Sequence, residues 1–239
     1  MIVCPVCNSS NHHLAVVCTS CGSFLQRKVD NLDLFETSWT VLESPRRGFR
    51  SIAIAHHKNY VFALSSLAGI GFAFTYFWLV KAGDVMTDLI GLLAAGISSG
   101  IIVGPFIVLL FSLILKVLTI FGRTKVGYRN LYAVSSYSLL PVVISVFTLL
   151  PVELLTFGTF MFSRNPSPYL LKPVSYIVIL SLDGMCALWT IVLLATGMKV
   201  LLDSGWKRAW AVAFISLLIF FGLLAELFSA SIPRMGLQA

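Results

Sequence analysis

The sequence predicts an all-α polytopic membrane protein, in which five transmembrane helices are preceded by a small zinc ribbon. Three observations predict this class. Hydrophobic residues make up 58% of the 239 residues and charged residues only 11%, less than half of the share of about 25% that is usual in soluble domains. Long uncharged runs occupy the chain after residue 59. Four of the five cysteines fall within the first 21 residues.

The uncharged runs define the membrane spans. A hydrocarbon core of about 30 Å requires about 20 helical residues. The runs predict a transmembrane domain over residues 59–230, with spans at about 60–80, 89–115, 131–152, 184–202 and 209–227. Two shorter apolar runs, 154–162 and 174–182, flank a loop that contains two prolines, and both are predicted to be interfacial or re-entrant.

Three features inside the spans carry further expectations. Asp183 stands at the predicted start of the fourth span, where a helix cap near water is favoured over a buried proton or ion site. Cys186 is predicted to be a small packing residue. Gly96, Gly100 and Gly104 recur every four residues in the second span, a spacing that lets another helix approach closely. We expect this approach to take place within the bundle.

The distribution of Lys and Arg orients the chain. With five spans, thirteen of these residues lie on the side of the N-terminus and four on the other. Because the richer side faces the cytoplasm, we expect a cytosolic N-terminus and an outside C-terminus. The net charge of +7 predicts contact with anionic lipid head groups and not with nucleic acid, since the basic residues flank the spans. No cleavable signal is apparent, so the first span is expected to act as a signal-anchor.

Residues 1–26 are predicted to form the zinc ribbon. Its ligands are two Cys-x2-Cys pairs, Cys4 with Cys7 and Cys18 with Cys21. Two such pairs on short loops let four thiolates surround one Zn²⁺. Asn8 and Gly22 follow the two pairs, at positions that favour residues able to adopt positive φ. A unit this short cannot bury a core of its own, so metal or disulfides must stabilise it.

The expected compartment favours zinc over disulfides, because disulfides do not persist in the reducing cytosol. With four protein ligands no coordination position stays open, which indicates one structural Zn²⁺ per chain and no zinc catalysis. His12 and His13 are predicted to be solvated loop residues. We expect the ribbon to be displayed from the bundle and not docked on it.

Residues 27–58 are predicted to be a linker. The stretch from Pro45 to Ile52 mixes basic and apolar residues and starts with a proline suited to a first helical turn. It predicts an amphipathic helix that lies at the interface on the inner leaflet.

Several short motifs, in order, resemble the Yip family of five-span membrane proteins (Ypt-interacting proteins). They are Pro45 with Phe49, the basic loop 122–129, the run 137–141, Asp183 with the pair 188–189, Gly197 and the run 206–209. The resemblance covers about residues 40–230 and implies a five-span fold. An N-terminal zinc ribbon resembles the prokaryotic branch, which implies a prokaryotic inner or plasma membrane. Eukaryotic relatives are implicated in vesicle traffic and bind prenylated Rab GTPases, a partner that we do not expect here.

Two functions from different classes remain open. The favoured one is a non-enzymatic membrane scaffold or adaptor in membrane organisation or trafficking-like processes, whose ribbon and linker dock an unknown protein partner. The alternative is a small-solute or ion permease, since intramembrane acids mark such pathways. The sequence contains no P-loop, no His-Glu-x-x-His and no nucleophile elbow. It therefore predicts no enzyme.

Overall fold

The computed structural model describes residues 1–26, 31–122, 124 and 126–231. Five basic residues that entered the orientation argument, Arg27, Lys28, Arg123, Lys125 and Arg234, lie outside the described residues. The first four residues of the predicted linker, 27–30, lie outside them as well.

The N-terminal unit is a two-stranded ribbon. Strand β1 (Ile2–Val3) pairs antiparallel with β2 (Ser10–Asn11), and Ile2 lies opposite Asn11. A further antiparallel bridge joins Val17 to Phe24. Each pairing closes over one of the Cys-x2-Cys turns, so the backbone brings the two cysteine pairs to the same end of the ribbon.

Two short helices lead from the ribbon into the bundle. Helix α1 (Leu34–Glu43) begins after Asp33, whose carboxylate accepts a hydrogen bond from the Glu36 N–H at 2.8 Å. Helix α2 (Pro45–Ile54) has Pro45 in its first turn, where the missing N–H costs nothing. The expected amphipathic helix therefore exists, but its apolar face does not lie on lipid. Its apolar face, with Phe49 and Ile52 fully buried, packs against the bundle.

Five apolar helical segments are long enough to cross a membrane, which confirms the predicted fold class. The helices of these segments, in chain order, are α3 (Val61–Val80), α4 (Leu89–Phe121), α5 (Tyr128–Ser138) with α6 (Leu140–Phe157), α8 (Pro173–Leu202) and α9 (Trp206–Ser231). A short helix, α7 (Pro168–Leu171), precedes α8. The third segment is broken at Leu139, just before Pro141.

Two spans differ from their predicted bounds. Residues 154–157 complete α6, and a 3₁₀ turn over Gly158–Phe162 extends the third segment. Residues 174–182 belong to α8, which starts at Pro173. The prediction that 154–162 and 174–182 are separate interfacial pieces is therefore wrong. That prediction took Glu153 and Asp183 as the ends of spans, whereas both residues lie within helices.

The glycines of the second span pack α4 against α3, as expected. A Cβ added to Gly104 would lie 2.6 Å from the Cα of Gly69, and one added to Gly100 would lie 2.5 Å from the Cα of Ile70. Gly96 lies against the ring of Phe74. The two backbones thus approach as closely as glycine permits.

The ribbon contacts α2 and the end of α8, so it lies at one end of the bundle. We call this end, formed by α2, the last turn of α8 and the first turn of α9, the ribbon end. The Arg208 guanidinium donates to the Gly122 carbonyl there, which joins the start of α9 to the end of α4. At the opposite end the Asp84 carboxylate accepts hydrogen bonds from Ser163 Oγ at 2.7 Å and from the Arg164 N–H at 2.8 Å.

Candidate metal centre and its docking on the bundle

Two turns of nearly identical geometry hold the four cysteines. Asn8 follows the first pair with φ of 55° and Gly22 follows the second with φ of 75°. The Asn8 N–H donates to the Cys4 carbonyl at 2.9 Å, and the Gly22 N–H donates to the Cys18 carbonyl at 3.0 Å. Glycine and asparagine adopt this left-handed backbone most readily. The positive φ expected at both positions is therefore present. It turns the backbone after each cysteine pair sharply enough for both thiols of the pair to converge.

The four sulfur atoms form a compact set. Sγ of Cys4 lies 3.6 Å from Sγ of Cys21, and Sγ of Cys7 lies 3.6 Å from Sγ of Cys18. All four lie within 4.8 Å of one another, and each cysteine is free. Zinc–sulfur bonds of about 2.3 Å in a tetrahedron place the sulfurs about 3.8 Å apart. The cluster therefore has the dimensions and the donor set of a closed metal site.

Two serine hydroxyls support the thiols. Ser9 Oγ lies 3.1 Å from Cys18 Sγ and 3.0 Å from Cys7 Sγ, and Ser23 Oγ lies 3.1 Å from Cys4 Sγ. The hydrogen bond from Ser9 is the main cause that lowers the pKa of Cys18 to about 5, and Ser23 lowers that of Cys4. Thiolates are the form that binds metal. At Cys7 the Ser9 hydrogen bonds also act to lower the pKa, but nearby thiols and burial raise it overall. A cation bound among the four sulfurs would favour the thiolate form.

Asn11, on the buried side of the ribbon, holds Ser9 and the second cysteine turn in place. Its amide nitrogen donates to the Ser9 carbonyl at 3.0 Å and lies 3.5 Å from Cys18 Sγ. Its side-chain oxygen accepts from the Thr19 N–H at 3.0 Å. Sequence reasoning missed both serines and Asn11. A signal for the serines was present, since both halves of the ribbon read Cys-x2-Cys, then Asn or Gly, then Ser.

The ribbon is docked on the ribbon end of the bundle, contrary to the expectation that it is only displayed. His13 Nε2 lies 3.0 Å from the Val200 carbonyl, and its Nδ1 lies 3.4 Å from a carboxylate oxygen of Asp203. The N-terminal ammonium of Met1 lies 4.0 Å from the same oxygen. His13 is therefore not a solvated loop residue. Asp203, with φ of 46°, ends α8 in a left-handed turn that points its carboxylate to the ribbon.

A second contact joins the ribbon to α2. Arg50 donates from its guanidinium to the side-chain oxygen of Gln26 at 3.1 Å, while the amide nitrogen of Gln26 donates back to the Ala15 carbonyl at 2.9 Å. Leu14 packs against the main hydrophobic cluster of the bundle. Contacts on both α2 and α8 fix the position of the ribbon with respect to the spans.

A family model of the Yip1 domain matches residues 39–227, which include α2 and all five apolar segments. The chain belongs to the Yip1 domain family. This match confirms the resemblance that the sequence suggested. No curated protein and no solved structure matches the chain significantly.

Two acidic residues of neighbouring helices lie near each other in the described part of the Yip1 domain. Asp183 on α8 lies near Glu153 on α6, and Glu153 is only 7% exposed. Asp183 lies in the middle of α8, so its predicted role as a helix cap is wrong. Cys186 lies on the same helix, half-buried.

Proposed function

We propose that this protein is a non-enzymatic membrane scaffold or adaptor, in which the Yip1 domain anchors a metal-stabilised ribbon that docks a protein partner. The observation that supports this best is the attachment of the ribbon through His13 and Asp203. A partner that binds the ribbon is thereby held in a fixed position relative to the membrane spans.

The metal in this proposal is one structural Zn²⁺ per chain. The four thiols of Cys4, Cys7, Cys18 and Cys21 supply a complete tetrahedral set, and sets of this type without an open position characterise structural zinc. The site then has no place for a substrate. Its task is to hold together a unit that is too short to fold on apolar burial alone.

The partner surface in this proposal combines the ribbon and α1. Val6 and Phe24 of the ribbon are exposed by 71% and 68%. Phe35 and Trp39, four residues apart on α1, are exposed by 83% and 68%, and this spacing places them on one helix face. Exposed apolar and aromatic side chains of this kind favour a protein partner.

The proposed orientation puts the ribbon in the cytosol of a prokaryotic cell and the end of α9 outside. The excess of Lys and Arg on the ribbon side supports it, and so does the need of four reduced thiols for a reducing compartment. Reporter fusions test it. A reporter that is active only outside the cytoplasm should work after Ala239, and one that is active only inside should work at Met1. A result that places both termini on the same side of the membrane would contradict the proposal.

Site-specific crosslinking tests the scaffold role. A photoreactive amino acid in place of Val6, in the full-length protein in native membranes, should capture a defined protein. The capture should be lost when Cys7→Ser and Cys18→Ser are added, because the ribbon then loses its metal and its shape. Cys186→Ser is the matched control and should retain the crosslink. An unchanged crosslink in the double variant would contradict a ribbon-dependent partner.

A proton or small-cation permease is the second candidate, and the pair of Glu153 with Asp183 is the observation that favours it. Ionisable groups inside a bundle often mark transport paths. Protein reconstituted in liposomes should then move protons or a cation, and Asp183→Asn should stop it. Asp88→Asn serves as control, since Asp88 caps α4 by accepting from the Gly91 N–H at 2.7 Å and asparagine also caps helices. Liposomes without any flux would eliminate this candidate.

A further inference from the structure

A pocket opens at the ribbon end, between α2, α8 and α9. Its volume is about 390 Å³, and its lining residues are Ser44, Pro45, Arg46, Arg47, Thr196 and Trp206. This volume lies within the range of about 300–1,000 Å³ that is usual for small-ligand sites. The site is separate from the cysteine cluster and from the acidic pair.

The pocket concentrates positive charge around one aromatic ring. The guanidinium carbon of Arg46 lies 5.0 Å from the centroid of the Trp206 ring, and Nζ of Lys199 lies 4.0 Å from it. Arg46 and Arg47 belong to the lining, and Lys199 lies beside the pocket on the Trp206 ring. In the part of the chain that the structure describes, these three cations form no salt bridge with a carboxylate. Cations held this close repel one another, so an anion among them lowers the free energy.

The neighbouring acids do not neutralise this cluster. Asp203, three residues before Trp206, faces His13 and Met1 of the ribbon. Glu43, the last residue of α1, is exposed and does not line the pocket. Helix α2 begins in the pocket at Pro45, but α1 ends at the same Ser44. The partial charges of the two helix ends oppose each other, so the positive charge of the pocket comes from the side chains.

The pocket lies beside the end of the fourth apolar segment and the start of the fifth, the level at which such segments meet a membrane surface. Trp206 is the first residue of the fifth apolar segment, and Lys199 is in the last turn of the fourth. Tryptophan prefers the head-group level of a bilayer, and lysine and arginine near helix ends reach to the same level. Pro45 and the Trp206 ring provide apolar walls beside the cations. This combination fits an amphiphilic anion better than a freely soluble one.

We propose that this pocket binds the phosphate group of an anionic phospholipid. Arg46 and Arg47 offer planar forks of N–H donors that match phosphate oxygens, and Lys199 offers a point charge. The Trp206 ring holds Arg46 and Lys199 near the position of the phosphate before the lipid arrives, which reduces the entropy cost of binding. The site is independent of the proposed partner and of the metal.

Native mass spectrometry of the full-length protein, titrated in detergent with phosphatidylglycerol, tests this inference. One lipid should bind more tightly than the rest, and phosphatidylcholine should not replace it. Lys199→Gln and Arg46→Gln should each weaken this binding by about tenfold, as expected for loss of one charge-assisted hydrogen bond. Lys199→Arg should preserve it. Lys207→Gln, the same change on an exposed residue of the same end, is the matched control and should leave it unchanged.

Competition with soluble anions distinguishes a lipid from free phosphate and requires only the wild-type protein. Inorganic phosphate or glycerol 3-phosphate at the concentration of the lipid should not displace phosphatidylglycerol. Displacement by either one would overturn the assignment to a lipid. An equal loss of binding in Lys207→Gln and Lys199→Gln would also overturn the proposal, because it would show general attraction to a basic surface. So would equal affinity for phosphatidylcholine.

Discussion

Gly100→Ala tests the close approach of α3 and α4. The added Cβ would lie 2.5 Å from the Cα and 2.6 Å from the N of Ile70, whereas ordinary contacts begin at 3.4 Å. Both partner atoms are backbone, so no side-chain rotation can relieve the clash. Helices α3 and α4 must therefore separate by roughly 1 Å, which loses packing along their interface. Overpacking of this kind costs about 1–3 kcal/mol.

Thermal unfolding of the purified protein in detergent, followed by far-UV circular dichroism, measures this cost. For a chain of this size, about 2 kcal/mol corresponds to about 4–8 °C in Tm. Gly222→Ala is the control, because no atom lies within 4 Å of a Cβ at Gly222. Its Tm should stay the same or rise slightly, since alanine loses less backbone entropy in a helix than glycine does. Equal Tm values for the two variants would refute the close approach of α3 and α4.

Three further outcomes follow from the ribbon and from α2. Elemental analysis should find about one zinc per chain in the wild type and in Cys186→Ser, but much less in Cys18→Ser. Equal zinc contents in Cys186→Ser and Cys18→Ser would contradict the metal site. Asn8→Val should make the ribbon protease-sensitive, because a β-branched residue at φ of 55° costs about 1–2 kcal/mol, whereas Asn8→Gly should not. Burial, and secondly the charge of Arg129, lower the pKa of Lys58 from 10.5 to about 8. The folded protein then binds fewer protons than the unfolded chain between these values, so its Tm should rise with pH across that window. Lys58→Met should remove this part of the rise, and an unchanged pH profile would count against the burial of the amine.

The sequence by itself determined the features that depend on local pattern. Five apolar runs against the thickness of a bilayer predicted five spans, and the structure confirms them. The spacing of the cysteines, with Asn8 and Gly22 after the two pairs, predicted turns that bring the sulfurs together. The assignment of zinc to these cysteines stays a prediction. Gly96, Gly100 and Gly104 predicted a close contact between helices, because a spacing of four residues places all three on one face of a single helix.

Only the tertiary structure decided the features that join distant parts of the chain. The His13 ring contacts the Val200 carbonyl, although the two residues are 187 positions apart in the sequence. No local sequence pattern predicts such a contact. Asp183 looked like a helix cap because the sequence does not show that α8 already begins at Pro173, or that Glu153 on α6 lies near it. The face of α2 that suits lipid also suits the protein interior, since both remove apolar surface from water. Only the tertiary structure shows that this face packs on the protein. The same packing places Arg46 beside Trp206.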